Sequence, residues 1–474
     1  MDLTIVILAA GQGTRMKSEL PKVMHRVAGR PMVRYVLDAA SALQPSALVV
    51  VVGYGADMVR ETLGEDVAYA VQTEQLGTGH AVQQAEQAVA GRAPTVLVLY
   101  GDTPLLRPET LQALVEHHRS QEAAVTLLTF RPEDPTGYGR IVRDGDTGQV
   151  RAIVEHKVAT PAQRTIKEVN SGLMCLQDEW LWPNLARVQR HPGGEVYLTE
   201  LVALACQQDQ TVAALAVADP LEVIGVDTRL KLAQAEGHMR RRINERWMMA
   251  GVTLIHPEAT YIEEDVELGP ETVVWPNTLL QGQTRIGQGC SIGPGSIIRD
   301  STIGDGCRVE LSVIEQAIME EGSDIGPFSH LRKGAHLGPG VHIGNFGEVK
   351  NSYLGSGVKM GHVSYMGDAT VGVKVVIGAG TITCNYDGQR KHRTVIGERA
   401  FVGSDTMLVA PVEVGAGAKT GAGSVVTRDV PPGSVAYGVP ARVKSPPTSP
   451  LAPSALPEAG PEGKQEKVEG SEVE

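Results

Sequence analysis

The sequence of 474 residues predicts two folds in one chain, an α/β domain followed by a parallel β-helix. Residues 1–226 alternate apolar runs of strand length with helix-like stretches, which is typical of a mainly parallel sheet covered by helices. Over residues 251–440 an apolar residue recurs at every sixth position, interrupted by short phase slips, which is the repeat of a β-helix. The 54 glycines, about 11% of the chain against about 7% in an average protein, suit tight corners, and the 4% of aromatic residues suits a narrow interior.

The α/β prediction rests on strand-like runs that alternate with amphipathic segments. The apolar runs are Leu3–Ala10, Ala47–Gly53, Thr95–Tyr100 and Ala123–Phe130, and the segments between them include Pro31–Leu43 and Pro108–Gln121. We therefore expect a mainly parallel sheet, which binds ligands at the carboxyl ends of its strands.

Three further segments follow the α/β domain. Residues 227–250 are rich in helix formers and predict a connecting helix. Within the repeat, residues 383–395 predict a loop that bulges out of the coil. Residues 441–474 are acidic and rich in proline, which predicts a disordered tail. The six-residue ladder comprises Ile262, Leu268, Val274, Leu280, Ile286, Ile292 and Ile298, then Leu331, Leu337, Ile343 and Val349, then Ile396, Val402, Leu408, Val414, Thr420 and Val426.

Charge and cysteine content narrow the function classes. The net charge of -12 argues against a nucleic-acid partner and against adhesion to an anionic membrane. The five cysteines are scattered and never form a C-x-x-C pair, so neither a disulfide framework nor a zinc knuckle is predicted. We therefore expect a protein of the reducing cytoplasm, and the sequence predicts neither a signal peptide nor a membrane span.

A glycine-rich turn directly follows the first predicted strand. It reads Gly11-Gln12-Gly13-Thr14-Arg15-Met16, and Lys22 lies six residues further on. Backbone N–H groups of such a turn can face phosphate oxygens, and Arg15 and Lys22 can cancel charge on a triphosphate. Neither the dinucleotide-binding fingerprint nor the P-loop matches, since Met16 stands where a third glycine is required and no G-K-[ST] follows. A plain strand–helix turn with surface bases is the alternative.

Two carboxylates are candidates for a Mg²⁺ site. Asp102 follows the apolar run that ends at Tyr100, which places it at the predicted ligand-binding edge of the sheet. Asp227 follows a short apolar run and can supply a second oxygen ligand. The alternatives are a turn-forming Gly-Asp pair for Asp102 and a helix cap for Asp227.

Histidines in the repeat domain suggest two kinds of chemistry. His362 lies in Gly361-His362-Val363-Ser364-Tyr365 and can act as a general base near pH 7, although a surface histidine is the simpler interpretation. His330, His336 and His342 are spaced by six, which suggests a metal site. Because successive hexapeptides occupy different sides of a coil, we expect these three side chains to point away from one another.

Several longer motifs lie along the chain. They are Leu8–Met16, Leu20–Val23, Glu74–Ala81, Tyr100–Asp102, Pro135–Arg140, Ile153–Lys157, Gly378–Gly388 and Phe401–Asp405. These motifs resemble those of one enzyme family, the bifunctional N-acetylglucosamine-1-phosphate uridylyltransferase / glucosamine-1-phosphate N-acetyltransferases. The resemblance covers about residues 3–440 and implies a Rossmann-like nucleotidyltransferase domain, a left-handed β-helix and a homotrimer. It also implies acetyl transfer from acetyl-CoA to glucosamine 1-phosphate and uridylyl transfer from UTP, which together supply bacterial cell-wall precursors.

The resemblance also implies roles for individual residues. His362 would be the catalytic base of acetyl transfer, Arg15 and Lys22 would act in uridylyl transfer, and Asp102 and Asp227 would ligate Mg²⁺. The nucleotide would be held by Leu8, Ala9, Ala10, Gly11, Lys22, Gln72, Gly77, Thr78, Tyr100, Gly101 and Asp102, and the amino sugar by Gly139, Glu155 and Asn170. In the β-helix, Arg332, Lys350 and Tyr365 would bind the sugar phosphate, and Ala379, Asn385, Tyr386, Ser404 and Ala422 would line the acetyl-CoA path.

Three positions depart from the family pattern. The family has Asn where Asp227 and Val376 stand, and Val376 cannot offer the sugar phosphate a hydrogen bond. The basic C-terminal extension that often grips CoA is replaced by an acidic tail, which leaves Arg442 as a substitute. An alternative function is therefore a single-activity sugar-1-phosphate nucleotidyltransferase whose β-helix only trimerises the chain.

Overall fold

The computed structural model describes residues 2–191 and 194–444, which part into two compact units between Asp305 and Gly306. The first unit contains the α/β domain, a long helix and the first coils of a β-helix, and the second contains further coils. The predicted disordered tail lies outside the described residues from residue 445 onward, whereas Arg442–Lys444 forms a strand. Within the described ranges, no helix is both long enough and apolar enough to cross a membrane.

The α/β domain consists of short strands and helices in alternation, as the sequence predicts. Its strands are β1 Leu3–Ala9, β2 Arg26–Val27, β3 Arg30–Pro31, β4 Ala47–Val52, β5 Ala68–Val71, β6 Thr95–Tyr100, β7 Val125–Phe130, β8 Arg140–Arg143, β9 Val150–Val154, β10 Val169–Gln177 and β11 Val212–Ala216. Its helices are α1 Met32–Ser41, α2 Ala56–Leu63, α3 Thr78–Gln83, α4 Glu86–Val89, α5 Pro108–Ser120, α6 Pro161–Arg164, α7 Asp178–Leu185 and α8 Glu200–Gln207, with 3₁₀ turns at Thr14–Met16, Lys22–Met24 and Pro220–Val223.

The main sheet has the strand order β11-β7-β10-β6-β1-β4-β5. The pairs β1–β4, β1–β6, β4–β5 and β7–β11 are parallel, and β10 is antiparallel to both of its neighbours, so the expectation of a mainly parallel sheet is confirmed. Helices cover both faces of the sheet, and two separate apolar cores lie between the helices and the two sides of β1. The carboxyl ends of β1 and β6 meet where Leu8 pairs with Tyr100.

The connecting helix α9 spans Arg229–Met249, inside the predicted segment 227–250. The Thr228 side chain caps it by accepting a hydrogen bond from the Lys231 N–H. Glu236 accepts a bond of 2.7 Å from the Ala28 N–H, and Arg242 donates one of 2.5 Å to the Leu105 carbonyl. These contacts fix α9 against the α/β domain.

The first unit ends in coils of a left-handed parallel β-helix, and the first coil contains a 3₁₀ turn at Pro257–Ala259. Each strand pairs in parallel with a strand about 18 residues further on, as Tyr261 does with Leu279 and Glu267 does with Arg285. The strands in this unit are Thr253–Leu254, Tyr261–Ile262, Glu267–Leu268, Val273–Val274, Leu279–Gln281, Arg285–Ile286, Ser291–Ile292, Ile297–Arg299 and Thr302–Ile303.

The second unit repeats the same coil and contains the predicted loop. Every ladder position predicted from the six-residue period is buried, in this unit and in the first. The loop that bulges out covers residues 385–393, between two strands that pack in the coil. The strands of the second unit are Arg308–Val309, Val313–Glu315, Ile318–Met319, Asp324–Ile325, His330–Leu331, His336–Leu337, His342–Lys350, Tyr353–Leu354, Lys359–Gly367, Ala369–Val371, Val376–Ile377, Ile382–Cys384, Thr394–Ile396, Phe401–Val402, Met407–Val409, Val412–Val414, Lys419–Thr420, Val425–Val426, Val435–Tyr437 and Arg442–Lys444.

Candidate functional sites

A pocket of about 220 Å³ opens at the carboxyl ends of β1 and β6. Most of the residues that were expected to hold a nucleotide line it together, although they come from five separate segments of the sequence. These are Leu8, Ala9, Ala10, Gly11, Lys22, Gln72, Gly77, Thr78, Tyr100 and Asp102. Gly101 lies beneath them and donates its N–H to the Leu8 carbonyl at 2.9 Å. The structure thus assembles the predicted nucleotide residues into one cavity.

The acidic and basic residues expected at this edge of the sheet form close ion pairs. Lys22 Nζ lies 2.5 Å from Asp102 Oδ2, and Arg15 Nη1 lies 2.9 Å from Asp227 Oδ2. The Val226 N–H donates to the Asp102 carbonyl at 2.8 Å, so the two aspartates lie on adjacent backbone segments. Both carboxylates are shielded, with side chains 11% and 16% exposed.

Asp102 and Asp227 fit the requirements of a Mg²⁺ ion. Carboxylate oxygens are its preferred protein ligands, and it usually takes one or two of them together with substrate phosphates and water. Asp227 Oδ1 is buried and accepts no hydrogen bond, although the Lys231 ammonium lies 3.1 Å away. Among residues 2–191 and 194–444 no cluster of three or more His, Cys, Asp or Glu side chains could hold a metal by itself. The donor set therefore suits an ion that relies partly on substrate oxygens.

Lys231 is a cation near this site that the sequence analysis did not single out. It lies one helical turn after Asp227 and pairs with it, and its ammonium is 5.5 Å from the centre of the Tyr138 ring. The i,i+4 spacing from Asp227 on a predicted helix is the signal that points to this contact.

The loop at residues 72–78 forms a second wall of the pocket. The Gln72 side chain donates to the Gly77 carbonyl at 3.1 Å, and the Thr78 hydroxyl accepts from the Leu198 N–H at 3.0 Å. The Thr78 hydroxyl also hydrogen-bonds with Tyr100. Burial raises the pKa of Tyr100 to about 12, so its phenol stays neutral at physiological pH.

Glu195 also lines the pocket, and sequence reasoning missed it. The chain near Glu195 is bound to the opposite loop, because the Val196 N–H donates to the Leu76 carbonyl and the Gly79 N–H donates to the Val196 carbonyl, each at 2.8 Å. This contact joins segments about 120 residues apart, and no local pattern around Glu195 announces it.

The three residues expected to hold the amino sugar are also neighbours. The Asn170 N–H donates to the Gly139 carbonyl at 2.9 Å. Arg140 pairs with Val154 across the β8–β9 hairpin, which puts Gly139 and Glu155 side by side at its end. Asn170 lies on β10, which pairs with the strand β6 that ends at Tyr100.

In the second unit, His362 lies at a corner of the coil. The same corner is repeated in several successive turns. Val363, the neighbour of His362, accepts a backbone bond from Gly380 at 2.8 Å. Asp405 donates to Ala379 at 2.7 Å, and Gly423 donates to Ser404 at 2.8 Å. The strand register runs through Met360, Ile377 and Val402 before the corner and through Tyr365, Ile382, Met407 and Val425 after it. His362, Ala379, Ser404 and Ala422 therefore occupy equivalent corner positions in four successive coils. The structure thus puts the predicted base in line with three residues of the predicted acetyl-CoA path.

His362 also contacts the coil that precedes it. Asn345 is paired with His362 in the parallel register of strands His342–Lys350 and Lys359–Gly367, and His362 Nδ1 lies 2.8 Å from Asn345 Oδ1. Sequence reasoning did not single out Asn345. A signal was present, since residues 17 or 18 apart become neighbours once a hexapeptide coil is assumed.

The predicted sugar-phosphate residues lie on one face beside this corner. Arg332 donates from Nη1 to Glu348 Oε1 at 2.7 Å, and this bond raises the pKa of the guanidinium further above its ordinary value. Glu348 pairs with Tyr365, and Lys350 pairs with Gly367 in the next coil. Glu348 is a further residue that the sequence analysis did not single out.

Tyr365 and Asn385 meet above Gly367. A methyl group on Gly367 would collide with the Tyr365 hydroxyl, so only glycine leaves room for that ring. Asn385 donates from Nδ2 to Asp368 Oδ2 at 2.5 Å. Tyr386 lies apart from them in the protruding loop, 61% exposed, and bonds to the Gly388 carbonyl.

Two of the remaining candidates lie elsewhere on the coil. Val376 is 39% exposed and pairs with Lys359 and Phe401, so it lies on a different face from Tyr365. Arg442 pairs with Tyr437 in an antiparallel strand at the end of the described chain. Neither joins the sugar-phosphate face within one chain.

The three histidines spaced by six do not converge. Each one contacts a carboxylate from an earlier turn of the coil: His330 with Glu315 at 3.2 Å, His336 with Glu320 at 2.6 Å and His342 with Asp324 at 2.7 Å. These pairs confirm the expectation that the histidines occupy different positions around the coil.

Comparison with known proteins identifies the same two parts of the chain. A family described as "MobA-like NTP transferase domain" matches residues 5–238. "Hexapeptide repeat of succinyl-transferase" matches residues 283–310, and "Bacterial transferase hexapeptide (six repeats)" matches residues 393–428.

Relatives of similar length match nearly the whole chain. A protein of Pelobacter propionicus named "Bifunctional protein GlmU" is 50% identical over 439 residues, 92% of this chain and 95% of the relative. The protein of that name from Exiguobacterium sibiricum is 50% identical over 437 residues, 92% of this chain and 97% of the relative. The one from Halalkalibacterium halodurans is 49% identical over 427 residues, 90% and 94% of the two chains.

Proposed function

Because the chain belongs to the family of bifunctional GlmU proteins, we propose that it catalyses two consecutive reactions in the synthesis of UDP-N-acetylglucosamine. Acetyl-CoA acetylates the 2-amine of glucosamine 1-phosphate, and UTP then converts the N-acetylglucosamine 1-phosphate formed to UDP-N-acetylglucosamine with release of pyrophosphate. We assign uridylyl transfer to residues 1–226, the connection to residues 227–250 and acetyl transfer to residues 251–440. The observation that carries the proposal is the single pocket that ten of the predicted nucleotide residues line.

In uridylyl transfer, a phosphate oxygen of N-acetylglucosamine 1-phosphate attacks the α-phosphorus of UTP and pyrophosphate leaves. Both reactants are anions, so the site must offset charge more than it must supply a base. Lys22 lines the pocket and is paired with Asp102, and Arg15 is paired with Asp227 on the backbone segment next to Asp102. We propose that both cations contact phosphate oxygens during the reaction.

Asp102 and Asp227 would hold a Mg²⁺ ion, which supplies further neutralisation of the phosphates when bound. Asp227 stands where the family has Asn, and it offers an additional negative charge to a divalent cation. The adjacent Lys231 ammonium offsets part of that charge.

For the sugar, we propose that Gly139, Glu155 and Asn170 recognise the N-acetylglucosamine moiety beside the neutral phenol of Tyr100. Backbone and side-chain amides together with a carboxylate can bind the ring hydroxyls and the acetamide group. Glu195 lines the nucleotide pocket together with Tyr100 and adds a second carboxylate that can bind hydroxyl groups of the sugar.

In acetyl transfer, the amine nitrogen of glucosamine 1-phosphate attacks the thioester carbonyl of acetyl-CoA. We propose that His362 accepts the proton lost by the amine, while the C–S bond breaks and the CoA thiolate leaves and is protonated. Ala379, Ser404 and Ala422 extend from His362 along one corner of the coil, and their small side chains leave room for an elongated ligand. We propose that acetyl-CoA lies along this corner, with Asn385 and Tyr386 beside it.

The sugar phosphate is proposed to bind to Arg332, Lys350 and Tyr365. Arg332 contacts Glu348 with one of its five N–H donors, and the planar guanidinium can use another edge for a phosphate.

We propose that the protein is a homotrimer with each acetyltransferase site built at a contact between subunits. The second unit exposes Phe328 and Phe346 to 56% each and Val363 to 54%, and the two phenylalanine rings stack at 5.7 Å. These residues form an apolar stripe beside His362, and exposed apolar stripes of this kind mark association surfaces. The position of Val376 supports the same arrangement. Val376 lies on a different face of the coil from Tyr365, so it could contact the sugar phosphate only in the site of a second subunit.

We further propose that the enzyme acts in the cytoplasm, where its substrates UTP and acetyl-CoA are available. The sequence supports this location, because its five cysteines are scattered and form no C-x-x-C pair.

A paired assay on the purified full chain tests the proposal. We expect pyrophosphate release from UTP with N-acetylglucosamine 1-phosphate, and thiol release from acetyl-CoA with glucosamine 1-phosphate. Pyrophosphate without thiol release would favour the interpretation that the β-helix is only a scaffold. Thiol release without pyrophosphate would contradict the assignment of the pocket in the first unit.

A further inference from the structure

The contact between Asn345 and His362 links the proposed catalytic base to a residue that has no assigned role. We propose that Asn345 is a positioning residue that holds His362 as the tautomer protonated on Nδ1, so that Nε2 carries the lone pair that accepts the amine proton. This inference rests on the proposed acetyl transfer. It adds to that reaction a residue that sets which ring nitrogen acts.

Hydrogen-bond chemistry decides the tautomer. The side-chain oxygen of Asn345 can only accept, and it lies 2.8 Å from His362 Nδ1, so Nδ1 must be the donor. A neutral imidazole carries one proton, and with that proton on Nδ1 the lone pair is on Nε2. Without an acceptor at Nδ1 the ring would distribute its proton between both nitrogens, and a fraction of the molecules would present an N–H to the amine.

The backbone around the pair is fixed, so the contact is built into the coil. Asn345 and His362 face each other in a parallel ladder that runs for nine residues, whereas most strands of this domain have two or three. The two coils approach so closely here that a methyl group on Gly344 would collide with the Gly361 carbonyl oxygen. The buried Ser364 hydroxyl donates to the His362 carbonyl at 2.8 Å. His362 and Asn345 are thus held at both backbones.

Other charged and titratable groups on the neighbouring strands also influence the pH profile of acetyl transfer. Lys359 and Tyr365 lie on its own strand and Cys384 lies on a following one, while the preceding strand carries His342, Glu348 and Lys350. Glu348 is already paired with Arg332. Substitutions at Asn345 leave all of these in place, so a change in the pH profile would report on the Asn345 contact.

The first experiment measures thiol release by the full-length protein against pH and against each substrate. Asn345→Ala should lower kcat by between about 10- and 100-fold with little change in KM, since a misplaced group costs about that much. Asn345→Asp keeps an acceptor and should stay active, and its acidic limb should move to higher pH by about one unit, because a carboxylate stabilises the imidazolium. Gln281→Ala serves as the control, since it also removes a side chain that hydrogen-bonds between coils and touches no candidate site.

The second experiment observes the ring directly. In ¹⁵N-histidine-labelled protein, two-bond ¹H–¹⁵N spectra at high pH should show His362, assigned by loss of its signals in His362→Gln, with the proton on Nδ1. Asn345→Ala should shift the signals toward the other tautomer. This readout does not depend on activity, and it shows at the same time whether the variant is folded.

The outcomes separate this inference from the function on which it rests. A wild type without thiol release would contradict the proposed acetyl transfer itself. A wild type that is active, together with an Asn345→Ala variant that has unchanged kcat and an unchanged tautomer, would overturn the role of Asn345. A loss confined to KM would overturn it as well, because it would make Asn345 a substrate contact. If the inference holds, Asn345→Ala adds no further loss when His362 is already replaced by Ala.

Discussion

Replacement of Asp102 by Asn is the sharpest single change in the uridylyltransferase site. Asn has nearly the same shape, and the backbone bond from Val226 to the Asp102 carbonyl does not involve the side chain, so the fold should be kept. The change removes one negative charge from a group that lies 2.5 Å from Lys22 and is proposed to bind the metal. Only the charge balance of the site should therefore change.

The size of the effect follows from the charges that remain. Asp102 and Asp227 are paired with Lys22, Arg15 and Lys231. After the substitution, only the negative charge of Asp227 would remain beside these three positive charges, so the site would attract a divalent cation less strongly. Two unit charges about 4 Å apart interact by about 4 kcal/mol at the effective dielectric of a protein surface. If about 3 kcal/mol of that is lost from the transition state, uridylyl transfer falls by about 10²-fold or more. Acetyl transfer should be unchanged.

Pyrophosphate release gives the measurement, with Asp66→Asn at an exposed position as the matched control. Chelation of divalent cations by EDTA should reproduce the loss in the wild type, and excess Mg²⁺ should restore part of the activity of Asp102→Asn. Equal wild-type rates with and without EDTA would refute the metal assignment. A folded Asp102→Asn enzyme with full activity would refute the role of this carboxylate.

Four further outcomes are expected. His362→Ala should lower thiol release by about 10²- to 10⁴-fold and leave pyrophosphate release unchanged; an unaltered rate would remove His362 from the mechanism. A chain ending near Ala250 should keep uridylyl transfer with UTP and Mg²⁺ and lose acetyl transfer, and a folded but inactive fragment would contradict the proposed division. Val376→Asn should lower the KM for glucosamine 1-phosphate by about 10- to 150-fold, which is the contribution of one hydrogen bond to a charged group. The control Val373→Asn, at a similarly exposed valine, should leave this KM unchanged. Equal KM values for Val376→Asn and the wild type would count against a contact at Val376. Burial lowers the pKa of His118 to about 4, against 6.5 in the unfolded chain. The unfolded chain therefore binds more protons as the pH falls from about 6.5 to 4, and the free energy of unfolding of the domain should decrease by up to about 3 kcal/mol over that range. Chemical denaturation should show a flatter pH dependence for His118→Gln than for the wild type, and parallel curves would contradict this role of His118.

The regular features of the fold could be predicted because they arise from local periodicity. One aliphatic residue in six must enter a narrow interior, and each of the predicted ladder positions, from Ile262 to Val426, is buried. The same holds for the strands that end at Ala9 and Tyr100, whose apolar runs are long enough to span a buried sheet. Elements of this kind depend on the sequence of their own residues and hardly on distant contacts.

The site could be predicted only where a motif lies directly at a strand end. Asp102 and Gly11 follow this pattern, whereas Glu195 reaches the pocket through backbone bonds between residues 76–79 and 196, which no local pattern shows. Asn345 and Glu348 lie between these cases. Their role depends on which residues face each other in successive coils, and that register becomes certain only when loop lengths and phase slips are known.

The most direct test of the central claim, two separate sites on one chain that act in sequence, follows a labelled acetyl group. Wild-type protein given [¹³C₂]acetyl-CoA, glucosamine 1-phosphate and UTP with Mg²⁺ should yield UDP-N-acetylglucosamine two mass units heavier than the unlabelled product. Asp102→Asn should stop at labelled N-acetylglucosamine 1-phosphate, and His362→Ala should leave glucosamine 1-phosphate unconsumed. A mixture of the two variants should restore the labelled product, because each supplies the site that the other lacks. Absence of the label from the wild-type product, or a mixture no more active than its components, would contradict the account.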